Sequence, residues 1–251
     1  MHDNYPRYSL PARPLASMLV SFLARRRRSF RTDALALLNG IYPGVRLLGP
    51  VPQPPAEGMI VLVNHYSRRG FQAWWIALAV SAVFDAELHW VVTSAWVYDD
   101  PIRSSTITPV SRWLLRRIAH AYNFTSMPAM PPKPEDAQLR AGAVLSLVRF
   151  AKSAPQPIIG FAPEGFDSAS GQLQRPPEGV GRLLVHLARQ GLKWSPVGVY
   201  EDEGALNLNF GPIIEPVIPD PAQPTLDREV ADQAMDAIAD CLPDRLHGPY
   251  A

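Results

Sequence analysis

Met59-Ile60-Val61-Leu62-Val63-Asn64-His65-Tyr66-Ser67 is the stretch on which the fold turns. Its first five residues are all apolar, with no polar alternation. That pattern marks a strand covered on both faces, the condition of a sheet with helices packed on each side. The run ends at Asn64, and a histidine follows at once. A second apolar run, Ile158-Ile159-Gly160, leads in the same way into Phe161-Ala162-Pro163-Glu164-Gly165. Open α/β sheets collect ligands where strands deliver their carboxyl ends. An imidazole and a carboxylate placed there on two different strands can meet in one cleft.

Working outward, strands are expected at 45–49, 59–63, 88–92, 157–161, 196–200 and 205–210, and helices at 72–84, 110–121, 134–152, 177–190 and 227–241. Pro134 with Glu135 and Asp136 suits a helix start, and Gly191 suits a helix end. The proline-rich segment 127–132 is neither helix nor central strand and reads as an extended crossing. Strands alternating with helices give an α/β fold: a mostly parallel or mixed central sheet flanked by helices, with an N-terminal helical appendage. The boundaries read as residues 1–44 for the basic, amphipathic N-terminal segment and 45–251 for the α/β domain.

Composition removes several classes of function. A net charge of +1 supplies no field for nucleic acid. The single cysteine, Cys241, excludes an internal disulfide and a cysteine-based metal site. No H-E-x-x-H or Cys/His cluster points to a metal, and no G-x-S-x-G elbow points to a serine hydrolase. Gly179-Val180-Gly181 lacks the third glycine of a dinucleotide loop and follows Pro-Pro-Glu instead of a strand. Five of the six tryptophans, Trp74, Trp75, Trp90, Trp96 and Trp113, fall at helix and strand positions and read as packing residues.

The N-terminal segment has its own character. Seven arginines and no acid lie between Asp3 and Asp33, and Leu15, Met18, Leu19, Phe22 and Leu23 recur at helical spacing. The apolar part is well short of the ~20 residues needed to span a bilayer. Its charges follow the apolar stretch, unlike those of a secretory signal. The segment Leu15–Arg31 has two readings: a short amphipathic helix lying on an anionic membrane surface, or a helix packed on its own domain with a solvated charged turn. The location expected is cytoplasmic, peripheral on the inner face of the membrane.

Asn64-His65-Tyr66-Ser67 followed about a hundred residues later by Phe161-Ala162-Pro163-Glu164-Gly165 resembles the glycerolipid (lysophospholipid) acyltransferase family, whose signatures are N-H-x-S-x-x-D and F-P-E-G. The likeness runs over about residues 45–215. Val45–Gly49 and Pro52 precede the histidine, Gly171 and Leu173 match a later G-x-L step, and Gly179 with Arg182 matches a glycine-led helix. Ser195-Pro196-Val197-Gly198-Val199 matches a V-P-V strand. The resemblance implies transfer of an acyl group from an acyl-CoA or acyl-carrier-protein thioester to a hydroxyl, with no bound cofactor and no metal. It implies His65 as general base, a role suited to an imidazole titrating near neutrality. Asn64 would shape the turn, Ser67 would share the loop, and Glu164 with Gly165 would contact the acceptor, Phe161 and Pro163 setting that turn. Arg68 and Arg69 are candidates for contact with a phosphate.

Three positions depart from the family's pattern. Gly70 stands where the family has the aspartate that orients its histidine; in a serine-protease triad the equivalent loss costs about 10⁴ in rate. Asp85, Asp99 and Asp100 are the nearest substitutes in sequence. Phe166-Asp167-Ser168 replaces T-R-S, and Pro176-Pro177-Glu178 replaces basic residues, which removes much of a phosphate clamp. Two classes follow: an acyltransferase acting on a lipid or alcohol acceptor, or a non-catalytic lipid- or acyl-chain-binding member of the same fold at a membrane surface.

Overall fold

The computed structural model describes residues 5–98, 100–130, 133–166, 170–220 and 223–251; Asp99, Pro131, Pro132, Asp167 and Ser168 of the sequence reading lie outside them. Along the chain the elements run β1 (Arg7–Tyr8), α1 (Ala12–Leu23), α2 (Phe30–Leu38), β2 (Ile41–Tyr42), β3 (Val45–Leu47), β4 (Met59–Val63), α3 (Trp74–Val83), β5 (His89–Thr93), α4 (Pro101–Tyr122) and β6 (Thr125–Met127). Then come α5 (Ala137–Ser153), β7 (Ile158–Phe161), α6 (Val180–Ala188), β8 (Lys193–Asp202), β9 (Ala205–Phe210) and α7 (Leu226–Ala239).

Seven strands form one mixed sheet in the order β3-β9-β8-β4-β7-β5-β6. Every neighbouring pair is parallel except the β8–β9 hairpin. The expected α/β architecture is therefore present. β4, the strand read first, lies between β8 and β7, and all five of its residues are buried. That central position is why its sequence is continuously apolar instead of alternating. Gly160 of β7 pairs with Trp90 of β5, and a Cβ there would lie 2.4 Å from the indole. The glycine makes room for the ring.

Several elements differ from the sequence reading. α4 begins at Pro101, well before residue 110, because the Asp100 carboxylate accepts from the backbone N–H groups of Ile102 (3.0 Å) and Arg103 (3.3 Å) and Pro101 occupies the first turn. Pro109 lies inside this helix on its exposed side, where water can take the carbonyl it leaves unbonded. β8 starts at Lys193 despite Pro196, since its pairing with β9 begins only at Val197 and the Pro196 carbonyl accepts from Gly211. α2 follows the arginine run, capped by Ser29, whose Oγ accepts from Thr32 N at 3.0 Å. The strands β1 and β2 are two residues each, too short to leave a periodic trace.

The N-terminal helices are tied to the rest of the chain by polar contacts, buried at Asp33 and exposed at Arg27 and Asp85. Arg28 forms a bidentate pair with buried Asp33, which also accepts from the Tyr122 hydroxyl at 2.7 Å. Arg27 donates to the His120 carbonyl, and Arg31 pairs with Asp85 at 2.9 Å and with the Phe84 carbonyl at 2.6 Å.

On the β5–β6 flank, His89 stacks on Phe150 at 3.8 Å between ring centres, and its Nε2 lies 2.8 Å from Thr125 Oγ1. Burial pushes this imidazole down to about 4 from its ordinary 6.5. The folded chain therefore holds His89 neutral at pH values where the unfolded chain protonates it. Its contribution is complete above pH 6.5 and is lost as pH falls toward 4, a change of at most about 3 kcal/mol. His89→Gln removes the titration and keeps a polar partner for Thr125. Urea unfolding across this window should show a shallower loss of stability for the variant than for the parent chain.

Candidate functional site

The parallel register between β4 and β7 brings the two motifs together. Met59 pairs with Ile158 and Leu62 with Phe161, a constant offset of 99 residues. Carried three residues beyond the strands, the same offset sets His65 beside Glu164. There the His65 backbone N–H donates to Glu164 Oε1 at 2.7 Å, again with a separation of 99. Glu164 Oε2 accepts from Gln174 N at 2.9 Å. The carboxylate is 1 % exposed and joins the loop after β4 to the segment after β7. The resemblance implies a contact between Glu164 and the acceptor; in the structure its oxygens take backbone N–H groups. Phe161 and Pro163 are buried beneath this turn, and Gly165 closes it with a φ of +71° and an N–H to the Ala162 carbonyl at 3.2 Å.

On the other side of β4, Asn64 fixes the loop to β8. Its Nδ2 donates to the Val199 carbonyl at 2.8 Å and its Oδ1 accepts from Val199 N at 2.7 Å. The side-chain amide thus continues the ladder where the backbone turns away. Ser67 is half-buried, and its carbonyl faces Gly171, where a Cβ would sit at 2.8 Å. With a φ of +70° as well, that position favours glycine on two grounds. Leu173 N donates to the Leu246 carbonyl at 2.9 Å, which ties the segment after β7 to the C-terminal end of the chain.

Arg68 is committed to a different partner from the one expected. Its guanidinium forms a bidentate pair with Glu201, at 2.6 Å on the Nη2 side, and lies 3.9 Å from the ring centre of Tyr5. The Glu201 side chain is fully buried and also accepts from Tyr8 (2.7 Å) and Tyr66 (3.2 Å). Burial first, and Glu201 second, holds both phenols protonated far above the ordinary tyrosine range. Arg69 is exposed. Glu201 was missed in the sequence, although the strand-end rule applied to β8 marks it: β8 runs parallel to β4, so its carboxyl end reaches the same edge of the sheet.

The remaining carboxylates proposed from sequence lie elsewhere: Asp85 pairs with Arg31, and Asp100 caps α4. Nδ1 of His65 is buried, and the residue as a whole is half-buried. Gly70 is exposed with a φ of +87°, and a Cβ there would meet only Arg68 Nη1, at 3.4 Å. The loop has a shape that suits glycine. Burial pushes the Cys241 thiol up to about 11, which removes it as a nucleophile near neutral pH.

No family model and no curated protein matches the chain. Among solved structures, the chain is similar to the 1-acyl-sn-glycerophosphate (LPA) acyltransferase PlsC from Thermotoga maritima. The sequence identity is 14%, the TM-score is 0.49, and the alignment covers 90% of this chain and 80% of that one. A likeness of that size says nothing about activity.

Glu201→Gln leaves the Arg68 guanidinium without a buried countercharge and should cost about 3 kcal/mol, read by urea unfolding. A cost below about 1 kcal/mol would contradict the placement of that pair. Gly70→Asp places a side chain at a left-handed position and should lower stability by about 1 kcal/mol. A stabilised variant would show that the loop is not held in this shape.

Proposed function

We propose that the chain moves an acyl group from a thioester, acyl-CoA or acyl-carrier protein, to a hydroxyl of a glycerolipid or related alcohol. The observation that supports it is the meeting of His65 and Glu164 at the carboxyl ends of adjacent parallel strands. With Nδ1 buried, Nε2 is the nitrogen assigned to the acceptor. It takes the hydroxyl proton as the oxygen attacks the thioester carbonyl. The C–S bond then breaks, and the imidazolium returns the proton to the departing thiolate. In this reading Glu164 is a positioning residue that fixes the His65 loop through its backbone.

The acceptor is one whose hydroxyl needs no phosphate clamp beside the histidine. Glu201 neutralises Arg68, leaving Arg69 as the cation of the motif that faces solvent. Gly70 favours a second reading, a lipid-binding protein without turnover, since no carboxylate at that position orients the imidazole.

Thiol release from acyl-CoA, followed over a panel of lyso-lipids and simple alcohols, separates the two. Acyl transfer predicts release by the parent chain and a loss of at least about 100-fold in His65→Ala. Release no greater than that of His65→Ala across the panel, with acyl-chain binding intact, would establish the non-catalytic reading.

A further inference from the structure

The groove along α4 has no part in the chemistry above. Pro109, Arg112, Trp113, Arg116, Arg117 and His120 follow one another at steps of three and one, so they share one face of the helix. Arg25 reaches the same groove from the turn after α1, which His120 Nε2 holds through the Arg25 carbonyl at 3.3 Å. The groove encloses about 500 Å³. It lies along the C-terminal half of α4, which leads into the start of β6. The cleft of His65 and Glu164 lies at the opposite ends of the strands.

Charge is uncompensated here. α4 carries no acidic side chain over its 22 residues. Among the described residues, Arg25, Arg112, Arg116 and Arg117 pair with no carboxylate. Arg117 lies 5.5 Å from the ring centre of Trp113. Four guanidinium groups around one open groove suit phosphate oxygens, which arginine binds in a fork geometry. Exposed apolar side chains border them. On α1, Leu19, Val20 and Leu23 are 51 %, 62 % and 58 % exposed, and on α4 Val110 is 64 % and Trp113 43 % exposed. A site for a free anion has no use for such neighbours, whereas a lipid surface offers phosphates and acyl chains together. Among the described residues no helix is long and apolar enough to cross a membrane, so contact would be from one side.

We infer that the α4 face, completed by Arg25 and the outer side of α1, binds the phosphate groups of an anionic lipid surface. This relocates the contact expected at Leu15–Arg31. Of those arginines, Arg27, Arg28 and Arg31 hold the fold together through His120, Asp33 and Asp85, while Arg25 joins the cations of a helix some ninety residues later. The inference is independent of acyl transfer, and His65→Ala should bind vesicles as the parent chain does.

The test is sedimentation with vesicles of equal parts phosphatidylglycerol and phosphatidylcholine, at low and at physiological salt. Replacing Arg112, Arg116 and Arg117 together by Gln should weaken binding about a hundredfold, from roughly fivefold per charge. The control Arg149→Gln/Lys152→Gln/Arg189→Gln removes the same charge from exposed positions off this face and should bind within about twofold of the parent. If the triple variant misfolds, Arg112→Gln alone should still show the roughly fivefold loss. Equal loss in the control, or none in the α4 variants, would overturn the assignment. Displacement of the parent from vesicles by inorganic phosphate would overturn it too, in favour of a soluble anion.

Discussion

The parallel pairing of β4 with β7 is the constraint on which the site depends. Both strands are buried along their length, so their side chains must meet the helices on a fixed face. A slip of one residue would reverse every side chain of a strand, and in β7 it would set a side chain in place of Gly160 against the Trp90 indole. The register that remains carries His65 to Glu164 with no further adjustment. Two side chains then make the arrangement rigid: Asn64 extends the β4–β8 ladder, and Glu164 joins the loops after β4 and β7. The meeting of His65 and Glu164 is a by-product of sheet order, and the loops keep what the strands deliver.

A second constraint works against the phosphate chemistry that the first motif suggests. Arg68, next but two after the histidine, is held by a buried carboxylate that two tyrosines also approach. Tyr8 belongs to the N-terminal strand β1, so this network binds the start of the chain to the edge of the sheet where His65 lies. Its cations and anions are already matched. The positive charge inside the motif therefore serves the packing of the loop, and Gly70 completes a turn of the same shape.

The two ends of the α/β layer carry different surfaces. At the carboxyl ends of the strands, Arg68 is paired with the buried Glu201. Along the far half of α4, arginines that pair with no carboxylate among the described residues stand beside exposed apolar side chains. A chain with a net charge of +1 has no global field, but a local field can still be strong where one helix face holds no acid. A lipid surface met there would leave the cleft of His65 and Glu164 at the other end of the molecule.

What the sequence determined follows from local rules. The continuous apolar run at 59–63 and the segment 205–210, where leucines alternate with asparagines, announced strands that the fold reproduces to the residue. The two motifs were legible because strand ends concentrate chemistry, and their order along the chain was enough to pair them. Tertiary structure decided the rest. Whether Glu164 faces a ligand or the backbone depends on Gln174, and whether Arg68 is a free cation depends on Glu201, more than 130 residues away. The start of α4 is set by the capping carboxylate at Asp100, and the helix continues through Pro109 on its exposed side. The division of the N-terminal arginines into structural and exposed ones depended on Asp33, Asp85 and α4. A residue's type fixes what it can bond. Only the packed chain fixes which partner is within reach, because desolvation makes that partner's identity worth several kcal/mol.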